Sequence, residues 1–195
     1  MKSPSIPLLQ SGRRGIREVT VSNRKFAADG MVGRLARWLR LAGFDTVYVN
    51  SSRPSDILGL ARREDRFILT RSTYLEEHEP NRVFRIKSVQ VWEQLKEVVQ
   101  HFHLKVDESL LLTRCSICNY PLEKKSKEEV KDTVPPYVFQ TQAEFYSCSA
   151  CRRIYWSGTH WEHIREIILR IQELSLRGKK INVGQTFRFA YRKQG

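Results

Sequence analysis

The stretch Phe26-Ala-Ala-Asp29-Gly-Met-Val-Gly33-Arg-Leu-Ala-Arg-Trp-Leu-Arg40-Leu-Ala-Gly43-Phe-Asp-Thr46-Val-Tyr-Val49 carries the alternation on which the fold turns. Phe26 to Ala28 is a short apolar run that ends at Asp29, the pattern of a buried strand. Met31, Leu35, Trp38, Leu39 and Ala42 then recur at helical spacing, and Gly43 stops the helix. Thr46 to Val49 is β-branched and aromatic, which suits a second strand. The alternation continues downstream. Pro54 and Ser55 introduce a helix from about Asp56 to Glu64; Arg66–Thr70 and Val83–Ile86 read as strands three and four. A longer helix follows, with Trp92, Leu95, Val99 and Phe102 on one face. Strands separated by helices need crossover connections, so residues 25–108 read as an α/β domain with a parallel sheet.

Open parallel sheets bind ligands at the carboxyl ends of their strands. Asp29 follows strand one and Asp56 opens the helix after strand two, so both map to that edge. Asp45 and Asp65 precede strands two and three and map to the opposite edge. Two carboxylates on the ligand edge suit a hard cation such as Mg²⁺ or Mn²⁺. The residues alone also allow plainer roles: Asp56 or Ser55 as a helix cap, and Asp29 before Gly30 as a turn residue.

The chain has four cysteines, in two matched pairs: Cys115-x-x-Cys118 and Cys148-x-x-Cys151. Two such turns supply four soft ligands for a tetrahedral Zn²⁺, in a ribbon whose pairs are separated by 29 residues. Disulfide pairing is the rival and needs an oxidising compartment. No unbroken apolar run follows the N-terminal charges, so a reducing intracellular setting is expected, the cytoplasm first. An Arg-rich start leaves an organellar target open. A fully thiolate-ligated zinc is structural, which sends any chemistry elsewhere. The charged insert at 123–136, ending in Pro135-Pro136, reads as an exposed loop, and Ile154-Tyr155-Trp156 as a ribbon strand. Thr159-x-x-Glu162 opens a helix to about Leu176, with Ile164, Ile167, Ile168 and Ile171 inward, giving a ribbon unit over residues 109–176.

The formal net charge of +13 is concentrated at the ends. Residues 1–25 carry +5 and residues 177–195 carry +6, leaving +2 for the middle. Residues 1–24 and 177–195 therefore read as basic arms suited to phosphate backbones, with RNA or DNA undecided by charge. No segment is apolar for long enough to cross a membrane, so none is expected among the partners.

The opening run, with Asp56 and Ile68-Leu69-Thr70-Arg71, closely resembles the Mut-seven C-terminal RNase domain family. Arg114-Cys-Ser-Ile-Cys118-Asn119, Val134-Pro135-Pro136 and Cys148-x-x-Cys151 with Ile154-Tyr155-Trp156-x-Gly158-Thr159-His160-Trp161 extend the resemblance over about residues 26–170. It implies a PIN-like nuclease fold joined to a zinc ribbon, RNA as substrate, and Asp29 and Asp56 as catalytic metal ligands. One position departs. Ser72 stands where the family pattern after strand three has an acid, which offers a divalent ion a neutral hydroxyl in place of a carboxylate. Glu76 and Glu77, a helical turn later, are the nearest acids that could reach back.

Arg34, Arg37 and Arg40 flank the apolar stripe of the first helix, and Arg71 adjoins Ser72. Arg34, Arg37 and Arg71 are the residues expected to bind substrate phosphate; a solvated helix face is the plain alternative. His160 and His163 could ligate metal, but four cysteines already satisfy zinc, so packing is the expectation. The four tryptophans read as core or ribbon-packing residues, and Tyr155 and Trp156 beside Arg152 and Arg153 could instead stack on bases. Phe187, Phe189 and Tyr191 alternate with polar and basic residues, as an added strand or a segment ordered on a partner would. Three functions follow. One is a metal-dependent ribonuclease short of one acid, another an RNA-binding or ribonucleoprotein-assembly module that has lost cleavage, the last a protein-interaction adaptor.

Overall fold

A computed structural model of the chain describes residues 24–157 and 159–176. Residues 1–23 and 177–195, including Phe187, Phe189 and Tyr191, lie outside the described residues, as do the side chains of Thr159, His160 and residues 174–176.

The first half is a three-layer α/β unit. Strands β1 (Phe26–Asp29), β2 (Thr46–Val49), β3 (Phe67–Thr70) and β4 (Val83–Arg85) form a sheet in the order β2-β1-β3-β4. Every neighbouring pair is parallel, in registers such as Phe26 opposite Thr46 and Phe67. Helices α1 (Gly33–Leu41), α2 (Pro54–Glu64) and α3 (Thr73–His78) make the three connections, and α4 (Val91–His101) follows β4. Strand residues alternate between faces, and the two cores follow from that. Phe26, Ala28 and Leu69 face the larger core with Leu35, Leu39, Leu95 and Val98 of α1 and α4. Ala27 and Ile68 face the smaller one with Ile57, Ala61 and Leu75 of α2 and α3.

Met31 departs from its expected inward place. A 3-10 turn over Gly30–Val32 precedes α1, rotates Met31 out of the helical stripe and leaves it 56% exposed.

The second half is a three-stranded antiparallel sheet of β5 (Leu122–Lys125), β6 (Phe145–Cys148) and β7 (Ile154–Trp156). The insert at 123–136 is no simple loop. It contributes most of β5 and helix α5 (Lys127–Val130), followed by α6 (Pro136–Thr141). Val130 and Val134 are buried against Phe145 in a small separate core. Ser126-x-x-Glu129 forms the capping box that starts α5, a signal present in the sequence.

Helix α7 (Thr159–Leu176) follows the ribbon in sequence but packs elsewhere. Ile164, Ile167, Ile168 and Ile171 all enter the larger α/β core, where α7 lies along α4. The Gln172 side chain accepts from the Val106 amide. In sequence the ribbon strands lie between α4 and α7, while the isoleucines of the last helix pack into the α/β core and its Trp161 stacks on Tyr146 of β6.

Candidate functional site

The strand order places a reversal between β1 and β3: the chain leaves β1 toward β2, then crosses back to β3. Ligand crevices of open α/β sheets form at the carboxyl ends beside such a reversal. Asp29 ends β1 there and Thr70 ends β3. Asp29 Oδ1 accepts from the Met31 amide at 2.9 Å, capping the 3-10 turn. The Thr70 hydroxyl donates to Asp29 Oδ2, and Thr70 Oγ1 accepts from the Ser72 amide at 2.9 Å. The chain Ser72–Thr70–Asp29 thus ties together the ends of the two central strands.

Asp56 lies in the first turn of α2, at the same carboxyl edge. Its Oδ2 accepts from Ser51 Oγ at 2.5 Å and from Arg53 Nε at 3.3 Å. The Ser51 hydrogen bond, aided by Arg53, holds this carboxyl below the usual carboxylate range. Glu76 is engaged by Arg85, and Glu77 is exposed. Among the described residues, the four cysteines form the only group of three or more ligating side chains close enough to share one ion. Among the described residues neither Asp29 nor Asp56 belongs to a group of three ligating side chains, and each is engaged by its own neighbours.

Arg34 and Arg37 from the start of α1, and Arg71 from the β3–α3 connection, line one open cavity of about 510 Å³. Gly30 and Met31 also line it, which sets it next to Asp29. No acidic side chain contributes to its walls. Arg40 is different. Its guanidinium is buried, with Nε donating to Thr46 O at 2.7 Å and NH1 to Ser116 O and Ile117 O at 3.1 and 2.7 Å. It holds the first cysteine turn against the sheet and takes no part in the cavity.

The four sulfurs lie within 4.8 Å of one another, with Cys115 and Cys151 Sγ 3.7 Å apart. A tetrahedron with 2.3 Å zinc–sulfur bonds has sulfur–sulfur edges of about 3.8 Å, so the donor set fits one zinc ion. No disulfide joins the four cysteines, and the 3.7 Å between Cys115 and Cys151 Sγ is the spacing of ligands on a shared ion. The two turns are twins. The amides of Asn119 and Arg152 donate to Cys115 O and Cys148 O at 2.9 and 2.8 Å, and both residues have left-handed backbones (φ 71° and 59°). Burial pushes the Cys115 thiol up, but hydrogen bonds from Tyr155 Oη, at 3.1 Å, and from backbone amides bring it down to about 7. Cys118 is pushed up to about 12, first by burial and then by the neighbouring sulfurs. One thiol in this cluster ionises readily and resists a second, a repulsion that a bound cation removes. The Tyr155 hydroxyl is committed to Cys115. His163 stands apart from the cysteine set, with its Nε2 buried and unpartnered.

Sequence reading missed the joint between the two units. Asn119 Oδ1 accepts from the Thr46 amide at 2.9 Å, and Asn119 Nδ2 donates to Asp45 Oδ1 at 2.7 Å. Arg66 NH1 donates to that same carboxylate oxygen at 2.6 Å, and Arg114 Nε donates to Gly43 O at 3.1 Å. The left-handed tolerance of Asn at position 119 was the one local hint. Gly43, at φ 91°, admits this approach: a Cβ there would stand 2.6 Å from Leu110 O.

The family described as the Mut7-C RNAse domain matches residues 24–168, from the start of the described sheet into α7. No curated protein and no solved structure matches the chain. No helix among the described residues is long and apolar enough to cross a membrane.

Proposed function

The chain belongs to the Mut7-C RNAse domain family, and from that premise we propose an RNA-binding protein of PIN-like ribonuclease ancestry whose cleavage centre is incomplete. One observation carries the reading: three arginines and no carboxylate line the cavity at the carboxyl edge, beside strand ends that lack a cluster of acids. Guanidinium groups match phosphate geometry and attract it through Coulomb forces. The basic arms would extend this contact along the strand, with zinc on the four cysteines keeping the ribbon folded.

A nuclease of this ancestry would need Mg²⁺ or Mn²⁺ to activate water and neutralise developing charge. Such an ion takes several oxygen ligands. Here Asp29 is tied to Thr70 and Met31, Asp56 to Ser51 and Arg53, and position 72 is serine. The donor set falls short of a divalent-ion site. The second reading, a slow metal-dependent ribonuclease, keeps its support from Asp29 and Asp56 sharing the carboxyl edge.

The test incubates the protein with labelled RNA and Mn²⁺, beside Asp29→Asn, Ser72→Asp and Arg37→Ala. Salt-sensitive binding without cleavage is expected, with roughly tenfold weaker binding in Arg37→Ala. Cleavage that needs Mn²⁺ and disappears in Asp29→Asn would establish the ribonuclease instead. Cleavage gained only in Ser72→Asp would identify the missing carboxylate as the reason for inactivity.

A further inference from the structure

The arginine cavity has walls that phosphate binding does not explain. Met31, Tyr48 and Val89 line it as well, and they are 56%, 39% and 70% exposed. These side chains are presented by rigid elements. Tyr48 projects from β2 onto the start of α1, where Gly33 makes room for it: a Cβ at position 33 would lie 2.9 Å from Tyr48 Cε2. Val89 belongs to the β4–α4 connection, which α4 holds at several points. Gln94 Nε2 donates to Ser88 O and Val89 O at 3.1 and 3.3 Å, and the Glu97 carboxylate accepts from the Lys87 and Ser88 amides at 2.9 and 2.8 Å. The connection that carries Val89 is thus held in place, with Val89 exposed on the cavity wall.

Arg37 and Arg71, with Arg34 on the same wall, offer guanidinium groups to an anion, and Met31, Tyr48 and Val89 on the same cavity suit a flat apolar body attached to it. A nucleotide has both parts. The volume of about 510 Å³ lies within the roughly 300–1,000 Å³ typical of small-ligand sites. Resting on the RNA-binding reading above, we infer that this cavity takes one nucleotide of a single RNA strand. Its phosphate lies on Arg34, Arg37 and Arg71, and its base lies against Tyr48, Met31 and Val89. A base within a duplex hides its faces in the stack, so the site selects unpaired strands.

Fluorescence anisotropy on the full chain tests this with three probes of equal length: a single-stranded RNA, the same strand with abasic sites throughout, and a duplex. The intact strand is expected to bind about 5- to 100-fold more tightly than the abasic one. Tyr48→Ala narrows that gap and leaves abasic binding unchanged, whereas Arg37→Ala weakens both. Met31→Ser, at an exposed position, repeats the measurement should Tyr48→Ala fail to fold by circular dichroism. Equal affinity for intact and abasic strands, duplex binding as tight as single-strand binding, or a gap untouched by either apolar variant overturns the base site while RNA binding stands. Failure of all three probes to bind removes the RNA-binding reading itself.

Discussion

Asp45 shows how a single side chain comes to hold two units together. It accepts hydrogen bonds from Arg66 on the sheet and from Asn119 beside the first cysteine turn. Burial pushes its carboxyl up, but these two hydrogen bonds prevail and hold it below its ordinary value of 3.8. A carboxyl depressed by folding adds stability above its unfolded pKa and loses it as pH falls through the folded value. The melting temperature should therefore drop as pH falls from about 4 toward 2, more steeply than in Asp45→Asn. Thermal melts across that range check this; parallel profiles would assign the acid sensitivity to other groups. Local spacing assigns Asp45 to an edge of the sheet but to no partner, because its neighbours lie 21 and 74 positions away. Arg40 was obscured for the same reason. Its i+3 spacing from Arg37 suggests a shared solvated face, yet its guanidinium is buried against the carbonyls of Thr46 and of the distant Ser116 and Ile117.

Among the elements, α7 best separates pattern from placement. Its four inward isoleucines were readable from helical spacing, and all four are buried. What they pack against was not readable, since periodicity identifies an apolar face without identifying its cover. Burial of such a side chain is worth about 1.5–3 kcal/mol, so α7 contributes on the order of 6–12 kcal/mol. That rivals the whole stability of a small domain, roughly 5–15 kcal/mol. A chain ending at residue 157 is expected to lose cooperative unfolding and to bind a hydrophobic dye. A sharp thermal transition in that truncation would show the α/β core is sufficient without α7. The insert at 123–136 teaches the converse. Its charge suggested a loop, while Val130 and Val134 face Phe145 in a core too small to leave a long apolar run.

For the whole molecule, the ribbon joint links metal binding to the sheet. Zinc on the four cysteines would contribute folding free energy to the turn that grips Thr46 through Asn119. Chelation should lower the melting temperature of the entire protein in one transition, including the near-ultraviolet signal of Trp38 and Trp92, whose rings meet 4.4 Å apart in the larger core. Two separate transitions, with the tryptophan signal unmoved, would show that the ribbon folds independently. The same architecture brings Arg34, Arg37, Arg71, Tyr48 and Val89 to one cavity from four different connections and strands.

The sequence by itself determined the α/β alternation, the parallel sheet, the four zinc-suited thiols and the carboxyl-edge position of Asp29 and Asp56. Each rests on local spacing, which hydrophobic period, strand length and ligand geometry make legible. Tertiary structure alone decided which arginine is buried and which lines a cavity, where α7 packs, and what engages each carboxylate. Those outcomes depend on pairs of residues tens of positions apart, and a hydrogen bond across such a distance leaves no periodic trace along the chain.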